Sequence, residues 1–579
     1  MKHIVILSIA ALVVALPFIF RQHHTSGNCK PSDPTLIIIT PHNEAIRQEF
    51  GEAFSRWHEK KYGTSVNVDW RMIGGTTEIM RYLTSEYTAS AKGFIRTGNQ
   101  RWPQNGAQAI FATTPPTNHD ERICWELFRT NDSPSAVTAH MDLFFGGGAY
   151  DHSKAQRQGL TVPAWGTNAP PLNLFTDEAH HLLIPSEMNG ESWCDKAYYG
   201  TALSGFGICF NADRLRDLGI KNPPKTWSDL ATPDYAGFIG MTDPTKSGSV
   251  AKAFEMIVHA ECAAAVSQAG YTRQHVHAFE TAIQTKKCSF GKLPSDVPQA
   301  YQQAIEHGWN TGLNLLRSLG ANALYFADSS TKVPVDVSMG AVAAGISIDF
   351  LGRFQSELST PPGEKPVMGY VTPVAGTSIT ADPISLLRGA PHRVIAVRFI
   401  EFVLGEEGQR LWNYRPGTPG GPRRFALRRL PIRRDFYPSS SPRIQKKFEL
   451  HQPYLSDPLG NPDTDAYRLA ESFLYEPRWT AQHFGILRDL FRAMCMDSGE
   501  ELRSAWKTIL AAGGPEKNPE AMALLQALPQ APVPLTWESA VTYYAKQPRM
   551  DLMRDWTAFF RAHYRAAHDY VLQHPPQKK

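Results

Sequence analysis

The stretch Leu36-Ile37-Ile38-Ile39 is apolar at every position, and three of its four residues are β-branched. A strand with no polar face must be covered on both sides, which is the pattern of a parallel sheet under helices. The next fifty residues fit that pattern. Thr40-Pro41 reads as a cap and first turn. Ile46, Phe50, Ala53, Phe54 and Trp57 then recur at helical spacing, and Gly63 ends the helix. Val66, Val68 and Trp70 alternate as a second strand, Gly74-Gly75-Thr76-Thr77 is a loop, and Ile79 to Tyr87 is a second helix. Strand, helix, strand, helix predicts a parallel α/β sheet.

Over residues 88–138 Gly, Pro, Asn and Thr dominate, and the segment reads as an insertion running over the surface. The sheet resumes at Met141 to Phe145 and stops at Gly146-Gly147-Gly148. A second rhythm begins at Trp193. It holds a strand over Gly205 to Asn211, a rigid turn at Pro223-Pro224, a strand over Phe238 to Met241, a loop from Asp243 to Gly248 and a helix from Val250 to His259. Ala343 to Ile348 is a further strand, and His392 to Tyr414 a long amphipathic helix. Past residue 440 the pattern is helical with turns, either an added helical unit or helices packed outside a lobe. A chain of 579 residues is expected to form two or three compact units.

The net charge of +4 is too mild to argue for nucleic acid. The arginine pairs at 423–424, 428–429 and 433–434 read as solvated surface. Lys2 and His3 precede an apolar run from Ile4 to Phe20, the layout of an export segment, either cleaved or kept as an anchor. Residues beyond it are expected outside the cytoplasm, where some of the seven cysteines should pair. No Gly-x-Ser-x-Gly, His-Glu-x-x-His or Walker loop is present, and no cysteine spacing makes a zinc site. No catalytic residue, metal or cofactor is therefore assigned.

Four stretches carry a resemblance. They are Gly205-Phe206-Gly207-Ile208-Cys209-Phe210-Asn211; Pro224-Lys225-Thr226-Trp227-Ser228-Asp229-Leu230 followed by Pro233-Asp234-Tyr235-Ala236-Gly237; Asp243-Pro244-Thr245-Lys246-Ser247-Gly248-Ser249; and Phe399 to Leu404 with Glu407-Gly408-Gln409. The chain resembles the extracellular solute-binding proteins of ABC importers, in the branch of the ferric-iron, thiamine and polyamine receptors. The resemblance covers residues 36 to 420. It implies a two-lobed type II periplasmic-binding α/β fold. The chain would cross between lobes near Ser204 to Ile208 and again near Gly369 to Pro373. The expected layout is 1–30 signal or anchor, 31–170 first lobe, 171–368 second lobe, 369–438 return to the first lobe, and 439–579 a helical extension. It further implies a small-molecule solute and an ABC permease as partners; a membrane sensor is the alternative to the permease.

Solutes in open parallel sheets bind beyond the carboxyl ends of strands, where helix starts offer free N–H groups. That places Thr40, His42 and Asn43, then Gly75, Thr76 and Thr77, then Ser247 and Gly248, at the cleft. Gly147, Gly148 and Ser204 are further candidates. Asp336, Asp349 and Tyr370 lie in a stretch that often faces the cleft in such receptors. Hydroxyls and helix starts favour an anionic solute; a cation would need carboxylates and aromatic rings, which Glu44, Asp336, Asp349, Trp165 and Tyr370 could supply. The adjacent tyrosines of the ferric receptors are not evident. Cys262 and Cys288, at the ends of a helix-loop excursion in the second lobe, are expected to be bonded.

Overall fold

The computed structural model describes residues 33–361, 363–373, 375–461 and 463–575. The N-terminal stretch read as an export segment lies outside them. In the first lobe β1 (Thr35–Ile39) pairs in parallel with β2 (Asn67–Arg71) on one side and β3 (Leu143–Phe145) on the other. Beyond β3 the sheet turns antiparallel, through Thr380–Leu387 to Tyr198–Ser204. In chain order Tyr198–Ser204 is β4 and Phe206–Asn211 is β5; β6 is Ile239–Thr242, β7 Ala323–Ala327, β8 Ala344–Ile348, β9 Met368–Val371 and β10 Thr380–Leu387. In the second lobe β6 pairs in parallel with β7 and β8, and the sheet then turns antiparallel through β5 to β9.

Both sheets repeat one order: second parallel strand, first, third, then a strand delivered from the other lobe, then the strand that leaves for it. The first transfer takes one residue, Gly205, between β4 and β5. The second is the segment 372–379 between β9 and β10. This is the two-lobed type II arrangement.

Helices cover both sheets. α1 (Glu44–Tyr62), α2 (Thr76–Thr97) and α3 (Ala149–Gln158) belong to the first lobe, and α4 (Gly248–Gln268) and α5 (Gln299–Asn322) pack against each other in the second. Residues 88–138 are more regular than a surface excursion. α2 runs on to Thr97, His119–Thr130 is a further helix, and Ile95, Cys124, Phe128 and Val137 share a core with Ile39 and Phe144. The single helix read over His392 to Tyr414 is two, Arg393–Leu404 and Glu406–Asn413. Gly405 between them is extended (φ −72°, ψ 164°), and the chain folds back so tightly that a Cβ on Gly408 would stand 2.2 Å from the Phe402 carbonyl oxygen.

The expected Cys262–Cys288 bond is not formed; both are free thiols. Cys262 faces inward from α4 onto α5, its Sγ donating to the Ile305 carbonyl at 3.5 Å, whereas Cys288 follows a separate helix, Arg273–Thr285.

Beyond residue 440 the chain serves both lobes. Phe448, Leu455, Leu459 and Tyr467 join the first lobe's core. Phe473, Trp479, Phe491, Trp506, Trp537 and Phe560 join the core of the second. A third transfer therefore lies between Ala470 and Phe473. The hairpin formed by Glu187–Met188 and Glu191–Ser192 grips it: Asn189 Nδ2 donates to the carbonyls of Ala470 (3.0 Å) and Phe473 (2.5 Å), and Tyr475 N–H donates to Asn189 O at 3.1 Å.

Candidate functional site: the cleft between the lobes

Four helix starts converge where the lobes face each other. α1 is capped by Asn43, whose side chain accepts from Ile46 N–H, and α4 by Ser247, whose Oγ accepts from Val250 N–H. α2 starts after Gly75 and α3 after Gly148, with no side-chain cap on either. Their first N–H groups and partial positive charge face the gap. The lobes meet closely here. A Cβ on Gly75 would stand 2.8 Å from the Lys246 carbonyl oxygen, and one on Gly248 would stand 2.9 Å from Thr76 Oγ1 and 3.0 Å from Asp151 Oδ2. Glycine is what permits this approach.

Two adjoining cavities fill the cleft, of about 670 and 440 Å³, sharing Gly248, Ser249, Ile348 and Asp382. The larger has three walls: Gly148, Tyr150, Asp151 and Ser204 from the first lobe; Phe206, Lys252 and Glu255 from the second; Tyr475, Gln482 and Phe484 from the C-terminal extension. The smaller is lined by His42, Asn43, Gly75, Thr76, Gly147, Ser247 and Arg429 among others.

Charge is paired inside. Lys252 Nζ lies 2.8 Å from Glu191 Oε1, 3.2 Å from Glu255 Oε2 and 3.9 Å from the centre of the Tyr475 ring. Ser378 donates to Glu191 at 2.6 Å and the Tyr475 hydroxyl to Glu255 at 2.5 Å. Burial pushes the Glu191 carboxyl up against the pull of Lys252; against the burial that lowers it, Glu191 and Glu255 hold the Lys252 ammonium above its usual value. Arg429 is 1% exposed, donates to Ser204 Oγ at 2.7 Å, pairs with Asp382, and lies 4.3 Å from the ring centre of Phe350 in the other lobe. Asp151 has no cation bonded to it among the described ion pairs. Burial raises its pKa, against the lowering effects of the Thr76 hydroxyl and Arg488.

Of the residues expected at the site, His42, Asn43, Gly75, Thr76, Gly147, Gly148, Ser204, Ser247 and Gly248 line the two cavities. Thr77 stands at the lobe contact, its Oγ1 accepting from Arg488 at 3.0 Å. Thr40 is buried behind them, donating to the Phe145 carbonyl at 2.6 Å. Three residues are elsewhere. Asp336 is held by Lys332 and by Tyr325 of β7 and lines neither cavity. Asp349 is buried against Arg353 at 3.2 Å. Tyr370 lines a separate hollow with Arg353, Ser356 and Arg428, its ring against Gly352. Tyr370 projects from β9, the edge strand of the second sheet.

The arginine run is not plain surface either: Arg429 and Arg433 are buried, paired with Asp382 and Asp435. Lys252, Glu255 and Asp151 escape a reading by motif because each sits within a helix, where a charged residue looks like the solvent face. The extension's side chains have no motif to mark them.

Residues 163–431 match the bacterial extracellular solute-binding protein family. The resemblance carried by the motifs stands, and that family is one of binding proteins, not enzymes. An uncharacterized protein of Haemophilus influenzae is 22% identical over 270 residues, 47% of this chain and 60% of that protein, so the match spans less than two thirds of the relative. Among solved structures, the periplasmic binding protein AfuA from Actinobacillus pleuropneumoniae (fructose-6-phosphate bound) shares 17% identity, covering 66% of this chain and 82% of its own, with a TM-score of 0.40. The spermidine/putrescine substrate-binding protein PotD from Streptococcus pneumoniae shares 13%, covering 79% and 100%, with a TM-score of 0.41. Iron-bound HitA from Pseudomonas aeruginosa shares 15%, covering 72% and 99%, with a TM-score of 0.36. None of these three lends its ligand to this chain.

Proposed function

We propose that this chain is an extracytoplasmic receptor that holds a small organic solute between its lobes and delivers it to an ABC permease. What supports the reading most is the convergence of helix starts from both lobes on cavities of about 670 and 440 Å³, room for a multi-atom solute. Mass spectrometry of whatever is released on denaturing freshly purified protein tests it. The compound found, added back at about a hundredfold excess over its dissociation constant, should stabilise the fold by about 2.7 kcal/mol. If nothing is released and a broad solute panel leaves the melting temperature unmoved, the reading fails.

The solute we propose is anionic, held at Gly75, Thr76, Gly148 and Gly248. The uncapped starts of α2 and α3 support this. Asp151 stands beside the same groups, and an anion next to it raises its pKa further. Binding then takes up a proton, so affinity should weaken as pH rises above the ordinary carboxylate range. An affinity that strengthens with pH over that range marks a cationic solute and overturns the anion.

A further inference from the structure

The C-terminal extension bridges the two lobes beside the cleft. Arg488 donates through Nη2 to Thr77 Oγ1 of the first lobe at 3.0 Å. The same guanidinium donates to the carbonyls of Pro244 and Thr245 of the second lobe, each at 2.8 Å. Beside it Phe484 packs on Tyr150 of the first lobe, ring centres 4.3 Å apart. In the larger cavity Tyr475 completes the cluster in which Lys252 of one lobe meets Glu191 of the other. Both Tyr475 and Phe484 also face the larger cavity.

We propose that the extension is a resident strap: it holds the lobes in apposition, and Arg488 is its release point. The argument is one of population. A ligand shifts an equilibrium only by its differential affinity for the two states. Intramolecular bonds present only in the closed form raise the closed population before any solute contributes. Arg488 suits a release point. Its bonds to Pro244 and Thr245 stay within the lobe that carries the extension, whereas its bond to Thr77 is made only when the lobes are together. It is thus a positioning residue, acting on the solute through the cleft's geometry.

This rests on the reading of the cleft as a closing one, and the test separates the two. Small-angle scattering and amide exchange would be recorded on the full chain and on Thr77→Val and Arg488→Ala. Thr77→Val removes only the acceptor in the first lobe. Each variant should shift the equilibrium toward open by about tenfold, the order of one hydrogen bond to a charged group. The signature is a larger radius of gyration and faster exchange at residues 76–79 and 248–251, with any fall in the thermal transition of Thr77→Val no larger than the lost closed population accounts for. A purely structural role would move the transition and leave the radius alone, and that overturns the strap. Solute-induced compaction of the wild type, with neither variant opening, sinks the strap and keeps the receptor. Variants that open while no solute compacts the wild type keep the strap and sink the receptor.

Discussion

His152 lies flat on Phe144, ring centres 4.0 Å apart, with Nε2 3.1 Å from the Gly146 carbonyl and Nδ1 2.8 Å from Ser385 Oγ. A carbonyl only accepts, so Nε2 carries the proton and Nδ1 accepts from the serine. Burial pushes its pKa from 6.5 down to about 4. In the unfolded chain the ring charges first as pH falls, so the stability it contributes is present at neutral pH and is lost between about pH 6.5 and about 4, up to about 1.4 kcal/mol per pH unit. His42, His259 and His483 are lowered by burial too and add to the slope. Urea unfolding across that window should show a falling midpoint, and His152→Gln should be weaker at neutral pH yet fall less. An equal slope in the variant removes His152 as a contributor. At this scale the glycine and hydroxyl residues of the cleft were legible, because their chemistry is tied to a strand-to-helix turn. The buried charges were not: Arg429 and Lys252 look like surface until their partners, Asp382 from β10 and Glu191 from the hairpin, are brought in by the fold.

The hairpin that grips the third transfer also carries Glu191 to Lys252 at the cleft. Gly190 at its turn has φ +94°, and a Cβ there would stand 1.8 Å from the Tyr475 carbonyl oxygen. Gly190→Ala should therefore push the segment 470–475 off its seat, at about 1–3 kcal/mol, the range for overpacking. Limited proteolysis should show new cleavage there and denaturant titration the loss; an unchanged digest would mean the hairpin does not hold the segment. Element reading from sequence worked where strands were short and mostly apolar, as in β1 and β8. It missed β4 and β10, which lie side by side at the heart of the first sheet. β4 carries Gly200, Thr201 and Ser204, and β10 carries Asp382-Pro383 and Ser385, residues that mimic a loop. A register shift between Asp382 and Pro383 admits a proline in a central strand, which no local pattern announces.

For the molecule as a whole, the second lobe and the extension share one core. Phe491 packs on Phe254 at 4.5 Å, Trp506 Nε1 donates to Asn322 at 2.8 Å, and a Cβ on Gly320 would stand 2.6 Å from Cys495 Sγ. A chain cut after Ser472 should expose that face, bind a hydrophobic dye and precipitate or lose cooperative unfolding. A soluble, cooperatively folding truncation would show the extension to be a separate unit. The two-lobed plan was readable because motif spacing survives in sequence; the extension's place was not, since its helices declare an apolar face without naming what covers it. The number of transfers has one more consequence. Two passages would return the chain to the lobe it started from, whereas three leave Thr35 and the helix Arg549–Gln573 on opposite lobes. A donor dye near the one and an acceptor near the other would turn the polypeptide into a ruler for its own breathing, with no label placed in the cleft.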